Sequence, residues 1–345
     1  MEHGCRYGSH RAIEPVGSLP QAAWKLDATS PLRDNEILVR VSRLNIDSAS
    51  FTQIRSQADG DFARIASIIR EIVAQRGKLH NPVTGSGGML IGSVERIGDS
   101  LASRIRLNVG DRIATLVSLS LTPLVLHTIR NVNVLTDQVD VDGHAILFET
   151  GVWARLPDDM PENLALAVLD VAGAPAQTAR LAQPGNVVLV IGAGGKAGLL
   201  CLHEAKKRVG TGGLVVAMET SAKGRERISS LGLADVIVEA DATRPLEAMA
   251  AFEAATGGRS ADVTINVVNV PGTEMASVLC TRQRGIVYFF SMATSFTAAA
   301  LGAEGVARDV DMIIGNGYAE GHVDAALGAV RENEGLRRLF EQVYA

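Results

Sequence analysis

The stretch VVLVIGAGGKAGLLCLHEAKKRVG, residues 187–210, decides how the rest of the chain is read. It reads strand, glycine turn, helix, the arrangement that seats a pyrophosphate on a helix N-terminus. Glycines are needed there because side chains would block the approach of backbone to phosphate. The spacing departs from the strict fingerprint. After Gly192 and Gly194 a third glycine falls due at position 197, where the chain has Ala197. In steps of three, however, Gly192, Gly195 and Gly198 are regular. A glycine string alone is weak, but between an apolar strand and a helix it predicts a dinucleotide cradle. Gly192, Gly194, Gly195, Lys196, Ala197 and Gly198 are its expected residues.

The next strand, LVVAM, runs into Glu219 at the distance expected of a carboxylate that binds the adenosine ribose hydroxyls. A carboxylate there repels a 2′-phosphate and favours NAD over NADP. Lys223 and Arg225 just beyond are the residues that would tolerate the phosphate form. Asn269 follows the fourth apolar run and Ser291 the fifth, positions that border the nicotinamide half of such a fold, with Thr294 and Ser295 nearby. The phrase NGY, 316–318, ends another strand and borders the same region.

Outward from this motif the chain has two textures. From residue 158, apolar runs alternate with helical ones (LVVAM, DVIVEA, DVTINVV, GIVYFFS, DMIIG), which predicts a doubly wound parallel sheet over 158–345 ending in a helical tail. Over 1–157, short β-rich runs separated by turns (EILVRV, MLIGSVERIG, DRIATLVSL, HAILFE) predict a small, mainly antiparallel β domain. One helix interrupts it near 61–76, with Phe62, Ile65, Ile68, Ile69, Ile72 and Val73 on an apolar face that covers the β core or lids a pocket. The fold class is α/β. A length of 345 residues suits two domains, and 47% apolar with 21% charged residues suits a soluble globular chain. The net charge of −5 argues against nucleic acid as a partner. The charged start, MEHGCRYGSHR, lacks the core of a signal peptide, and no run of about 18 apolar residues is long enough for a membrane. Three scattered cysteines suit neither a disulfide framework nor a zinc cluster, so a reducing cytoplasm is expected.

A β half followed by a nucleotide half resembles the medium-chain dehydrogenase/reductase superfamily. DNEILVRVSRLNIDSASF is similar to the first strand and loop of its GroES-like catalytic domain, and NPVTGSGGMLIGSVERIG to its next segment. NVGDRIATL looks like its glycine–aspartate turn, and WARLPDDMPENLA like the exit into a Rossmann domain. Where zinc members carry cysteine and histidine ligands, this chain has Asn45-Ile46-Asp47-Ser48, Thr84-Gly85-Ser86 and, approximately, Leu169-Asp170-Val171-Ala172. No metal is therefore expected. NIDSASFTQI, TLVSLSLTPL, MPENLALAVLDVAGAPAQ and FFSMATSFTAAALGAEGV more narrowly resemble the L-erythro-3,5-diaminohexanoate dehydrogenases of lysine fermentation.

That resemblance implies oxidative deamination of a small diamino acid with NAD. Losing zinc and gaining carboxylates suits an amine, whose nitrogen lone pair itself stabilises the cation left when hydride departs. Asp47 and Asp170, which fall on former ligand positions, are the candidate catalytic carboxylates, with Ser48, Thr84 and Ser86 beside the substrate. The substrate carboxylate calls for a cation, for which Arg6, Arg11 and Lys78 are candidates. His10 and His80 are candidate proton carriers. A homodimer built by a strand such as GIVYFFSMA is expected. Two rival readings stand beside this one: a zinc-free quinone or enone reductase, and a non-catalytic dinucleotide binder.

Overall fold

The computed structural model describes residues 2–291, 293–315 and 317–345. Contacts divide the chain into two compact units, Met1–Leu166 and Ala167–Ala345. The division lies nine residues past the 157/158 boundary expected from the sequence.

The first unit holds strands β1 (Ala12–Glu14), β2 (Lys25–Leu26) and β3 (Glu36–Asn45), then helices α1 (Ser48–Gln57) and α2 (Phe62–Arg76). It continues through β4 (Met89–Ile97), α3 (Asp99–Ala102), β5 (Arg112–Thr115), β6 (Leu124–Asn133), β7 (Gln138–Phe148) and β8 (Trp153–Arg155), and the division falls within α4 (Glu162–Leu169). Six strands form an antiparallel sheet in the order β6-β7-β3-β4-β5-β8. Along β3, Val39 and Val41 are buried while Arg40 and Ser42 are exposed, the alternation of a strand with one face on a core. The predicted helix near 61–76 is α2, capped by the Asp61 carboxylate on Arg64 N and closed by Gly77 at φ 61°. Ile65, Ile69 and Val73, each four residues apart, join the core of the β sheet, so α2 covers that core. Phe62 instead lies exposed. The helix α1 was not expected. The sequence predicts a loop there, after the first strand.

The second unit runs α5 (Gly173–Leu181), β9 (Val187–Ile191), α6 (Lys196–Val209), β10 (Leu214–Met218), α7 (Ala222–Leu231), β11 (Val236–Val238) and α8 (Pro245–Thr256). It then continues with β12 (Ala261–Asn266), α9 (Glu274–Cys280), β13 (Thr281–Phe289), α10 (Phe296–Gly305), β14 (Asp311–Ile314), α11 (His322–Glu332) and α12 (Glu334–Val343). Its strands pair entirely in parallel, in the order β11-β10-β9-β12-β13-β14. All five residues of β9 are buried, as a central strand covered on both faces requires. Numbered within the unit this order is 3-2-1-4-5-6, and it reverses between β9 and β12, where such sheets bind ligands. The first five residues of GIVYFFS, Gly285 to Phe289, lie in β13, paired on both sides by β12 and β14. The expectation that it builds a sheet across a dimer is corrected: only β14 leaves an edge on that side.

Candidate functional site

In the second unit the glycine loop joins β9 to α6, and its glycines answer to different demands. Gly192 turns the chain at φ +80°, and a Cβ on it would meet Val268 Cγ2 at 2.7 Å. A Cβ on Gly194 would lie 2.5 Å from Gly224 Cα, and one on Gly198 would lie 2.5 Å from Gly192 O, so both are required by close packing. Gly195 is different. A Cβ there would meet nothing nearer than Gly192 O at 3.9 Å, so packing leaves its glycine unexplained. Gly195 is the N-cap of α6, makes no side-chain cap bond, and lines a cavity of about 320 Å³. Behind it Lys196 and Ala197 open the helix, whose first-turn amides and dipole favour an anion. Room for a phosphate and a helix terminus to hold it therefore coincide.

The same cavity is walled by residues that follow three strands: Glu219 and Thr220 after β10, Asp241 and Thr243 beyond β11, and Asn269 after β12. Glu219 Oε2 accepts from Gly194 N and Oε1 from Ser221 N and Oγ, each at 2.9 Å. A carboxylate has about four lone-pair sites, so capacity remains for ribose hydroxyls. Arg225 is committed elsewhere: it donates to Thr220 O at 2.5 Å and pairs with Glu239 at 3.0 Å. Ser291 Oγ donates to Asn269 Oδ1 at 3.1 Å, so these two expected residues meet. Thr294 N donates to Ser291 O, while Ser295 caps α10 through Ala298 N. Asn316 lies outside the described residues. Lys196 Nζ pairs with Asp170 Oδ2 at 2.7 Å, which joins one expected cofactor residue to one expected catalytic residue. Sequence reasoning missed Asn266, buried at the end of β12. It donates to Thr273 Oγ1 and Ser277 Oγ and accepts from Val268 N, and so shapes the loop along the cavity. A lone asparagine closing the apolar run DVTINVV was the available signal.

In the first unit, Asp47 is the N-cap of α1. Its Oδ1 accepts from Ser50 N at 2.9 Å, whereas Oδ2 is buried with no hydrogen-bond partner among the described residues. Leaving a carboxylate oxygen so is costly unless a donor arrives. Ser50 Oγ meets Thr84 Oγ1 at 2.5 Å, and Ser86 N donates to Thr84 Oγ1 at 3.4 Å. A Cβ on Gly88 would lie 2.7 Å from Asp47 N, so the 84–88 segment lies directly against the turn after β3. Asn81, also missed, ties the two segments by accepting from Val83 N and donating to Ser50 O. The structure thus gathers Asp47, Thr84 and Ser86, with Ser48 exposed at the start of α1. His80 joins them: its Nε2 would be 4.0 Å from a Cβ on Gly85, and its Nδ1 is buried without a hydrogen-bond partner among the described residues. Burial, then the charges of Lys78 and Arg76, push its pKa down to about 4, so the imidazole is neutral.

The cation candidates do not join this group. Arg11 is 1% exposed, with Nε and Nη2 on the two Glu36 oxygens (2.9 and 2.6 Å) and further bonds to Ser30 O and Pro31 O. His10 Nε2 meets the same carboxylate at 2.8 Å. Glu36 opens β3 and Asp47 lies past its far end, about 30 Å away along a ten-residue strand. Arg6 O accepts from Thr150, just beyond Phe148, the residue that pairs with Glu36. Arg6, His10 and Arg11 therefore sit at the wrong end of the sheet to share a small substrate with Asp47. Lys78 is fully buried, donates to Pro20 O at 2.9 Å, and is pushed down to about 8 by burial and Arg76. Its expected contact with a substrate carboxylate is corrected on that ground.

Glycine loop, reversed strand order and carboxylate after the second strand define a dinucleotide-binding Rossmann unit, preceded in the chain by an antiparallel β unit. The fold matches a zinc-dependent alcohol dehydrogenase 2 from Streptococcus pneumonia with TM-score 0.55 and 16% identity, over 94% of this chain and 90% of that one. It also matches a mycobacterial protein complexed with NADPH at TM-score 0.54 and 15% identity, over 92% and 83%. At the level of sequence, the family model of the L-erythro-3,5-diaminohexanoate dehydrogenase N-terminal domain matches residues 10–157. The L-erythro-3,5-diaminohexanoate dehydrogenases of Acetoanaerobium sticklandii and Fusobacterium nucleatum are 55% and 53% identical to this chain. The first match covers 99% of both chains and the second 100%. The chain belongs to the L-erythro-3,5-diaminohexanoate dehydrogenase family, and it is an oxidoreductase.

Proposed function

We propose that the chain oxidatively deaminates L-erythro-3,5-diaminohexanoate to 5-amino-3-oxohexanoate in lysine degradation, without zinc. The observation that carries this reading is the full-length identity to relatives of that name. In balanced form, the amine carbon gives up a hydride to NAD, water adds to the resulting iminium, and ammonia leaves as the ketone forms. A nicotinamide dinucleotide held by the glycine loop and Glu219 would supply the hydride acceptor. What this chain's residues must do is bind ammonium groups, hold an amine neutral and move a proton to or from water. Asp47 Oδ2, buried and unpartnered, is the acceptor we assign to a substrate ammonium. Neutral His80 and the Ser50–Thr84 hydroxyl pair next to it are the groups we assign to proton movement. Asp170, held by Lys196, is assigned to orient that lysine at the start of α6.

NAD is favoured over NADP because Glu219 walls the cavity and Arg225 is engaged by other oxygens. No described helix is long and apolar enough to cross a membrane. A cytoplasmic enzyme is the reading we adopt on its three free thiols, Cys5, Cys201 and Cys280, and a homodimer on the unpaired outer side of β14. The test is to mix protein, NAD and L-erythro-3,5-diaminohexanoate and follow NADH absorbance and ammonia together. Equal amounts are expected. A protein that binds NAD but yields neither product sinks the proposal, and quinone reduction without ammonia would favour the reductase reading.

A further inference from the structure

Two residues that the sequence reading did not single out close on the glycine loop from outside. Arg227 lies on α7 and Tyr344 directly follows α12. Arg227 Nη1 donates to Gly194 O at 3.3 Å and to Tyr344 Oη at 3.0 Å, and Tyr344 Oη donates to Gly194 O at 3.4 Å. The three groups form a closed triangle. The guanidinium also lies over the tyrosine ring, 5.5 Å from its centroid, and Phe340 meets that ring edge-on at 5.1 Å. Phe340 and Leu336 are buried, which anchors α12 and with it the tyrosine.

We propose that Tyr344 and Arg227 are positioning residues for the dinucleotide. They fix the peptide that joins Gly194 to Gly195, the residue whose open side lines the cofactor cavity. The peptide before Gly194 is already pinned, through its N–H on Glu219 Oε2 at 2.9 Å. Glycine has the widest backbone freedom of any residue, so a loop built on it must be held by its flanking peptide groups. Here one flanking peptide is held by the ribose-binding carboxylate and the other by the Arg227–Tyr344 pair. A loop held before the ligand arrives loses less entropy when it binds. None of the groups assigned above to the substrate or to proton movement belongs to this triangle, so its effect is expected on cofactor affinity and not on the chemical step.

The proposal rests on the reading that this unit binds a nicotinamide dinucleotide. Its test is calorimetric titration of the full chain with NAD, beside hydrogen exchange of the 192–198 amides without cofactor, in wild type and in Tyr344→Phe, Tyr344→Ala and Arg227→Met. Removing the hydroxyl alone leaves Arg227 on Gly194 O, so Tyr344→Phe is expected to raise Kd about threefold. Tyr344→Ala and Arg227→Met are expected to raise it about tenfold, with faster loop exchange and kcat at saturating NAD within about twofold of wild type. Kd and exchange both unchanged in the two larger substitutions would overturn the proposal. If either fails to fold, Tyr344→Phe decides on the same two readouts, since it keeps the ring packing. A wild-type protein that binds neither NAD nor NADP overturns the dinucleotide reading and the clamp with it. Wild-type binding with unaltered variants overturns the clamp alone.

Discussion

The two oxygens of Asp47 have different surroundings, and one substitution separates the cap from the substrate role proposed for this carboxylate. Oδ1 caps α1 through Ser50 N, while Oδ2 waits for a donor. Asparagine caps a helix about as well as aspartate, whereas alanine forfeits about 1 kcal/mol. Asp47→Asn is therefore expected to keep the melting temperature and lose at least tenfold in kcat/KM for the diamino acid, and Asp47→Ala to lose both. Full turnover in Asp47→Asn removes this carboxylate from the mechanism. Glu36 is a carboxylate of the opposite kind. Burial works to raise its pKa, but the Arg11 and His10 bonds, with Arg33 N–H, more than reverse that and hold it at about 2. A depressed carboxylate pKa contributes stability above the unfolded value near 4.5 that is lost as pH falls towards 2, here roughly 3 kcal/mol. Urea unfolding between pH 7 and 2 should show that fall in wild type. In Glu36→Gln, already weakened at pH 7 because buried Arg11 loses its two-oxygen partner, the fall should be smaller by that amount. Other depressed carboxylates such as Asp27 and Asp235 still contribute to it. The burial of Arg11 was not legible beforehand. Its partner lies 25 residues away and that of Lys78 lies 58 away, with no periodicity linking either pair.

At the scale of elements, the strand–turn–helix unit makes a sharper distinction than its motif. Glycines that read alike as letters differ in what a methyl would strike. Gly198→Ala pushes a Cβ into the backbone of Gly192 and Ala193, a strain the loop must relieve by moving. Gly195→Ala meets only open space, and its φ of −88° suits alanine. Gly195→Ala is thus expected to leave the melting temperature within about 2 °C of wild type while weakening NAD binding at least tenfold, because the methyl enters the cavity. Gly198→Ala is expected to lower the melting temperature. The reverse order would mean that the cofactor does not approach Gly195. The strands around this loop were readable because a parallel sheet buries both faces and leaves unbroken apolar runs. The helix α1 was not, since DSASFTQIRSQ buries only Ser50, Phe51 and Ile54, too few for a helical period to emerge. Its one clear signal was the cap, an aspartate three residues before the serine whose amide it accepts.

For the whole molecule, the sheet order bears on how two copies would meet. β13 is occupied on both sides, so any strand-to-strand pairing on that side of the second unit must use β14. That strand, Asp311–Ile314, is short and opens on exposed Asp311, but it carries no lysine, proline or bulge, and its other three residues are apolar. Ile314 is 57% exposed, and α10, which precedes the strand, leaves Leu301 63% exposed together with Phe296. From this apolar exposure on successive elements we infer an association surface along β14. Sedimentation of the wild type is expected to give a dimer, and Ile314→Asp a monomer, since a carboxylate buried at such an edge is costly without a partner. The glycine loop, Glu219 and the cavity all belong to one unit of one copy, so the monomeric variant should bind NAD with unchanged Kd. A wild-type monomer, or a dimer that survives Ile314→Asp, excludes β14 as the seam. A variant that loses NAD binding on dissociating would mean that the second copy shapes the cofactor site.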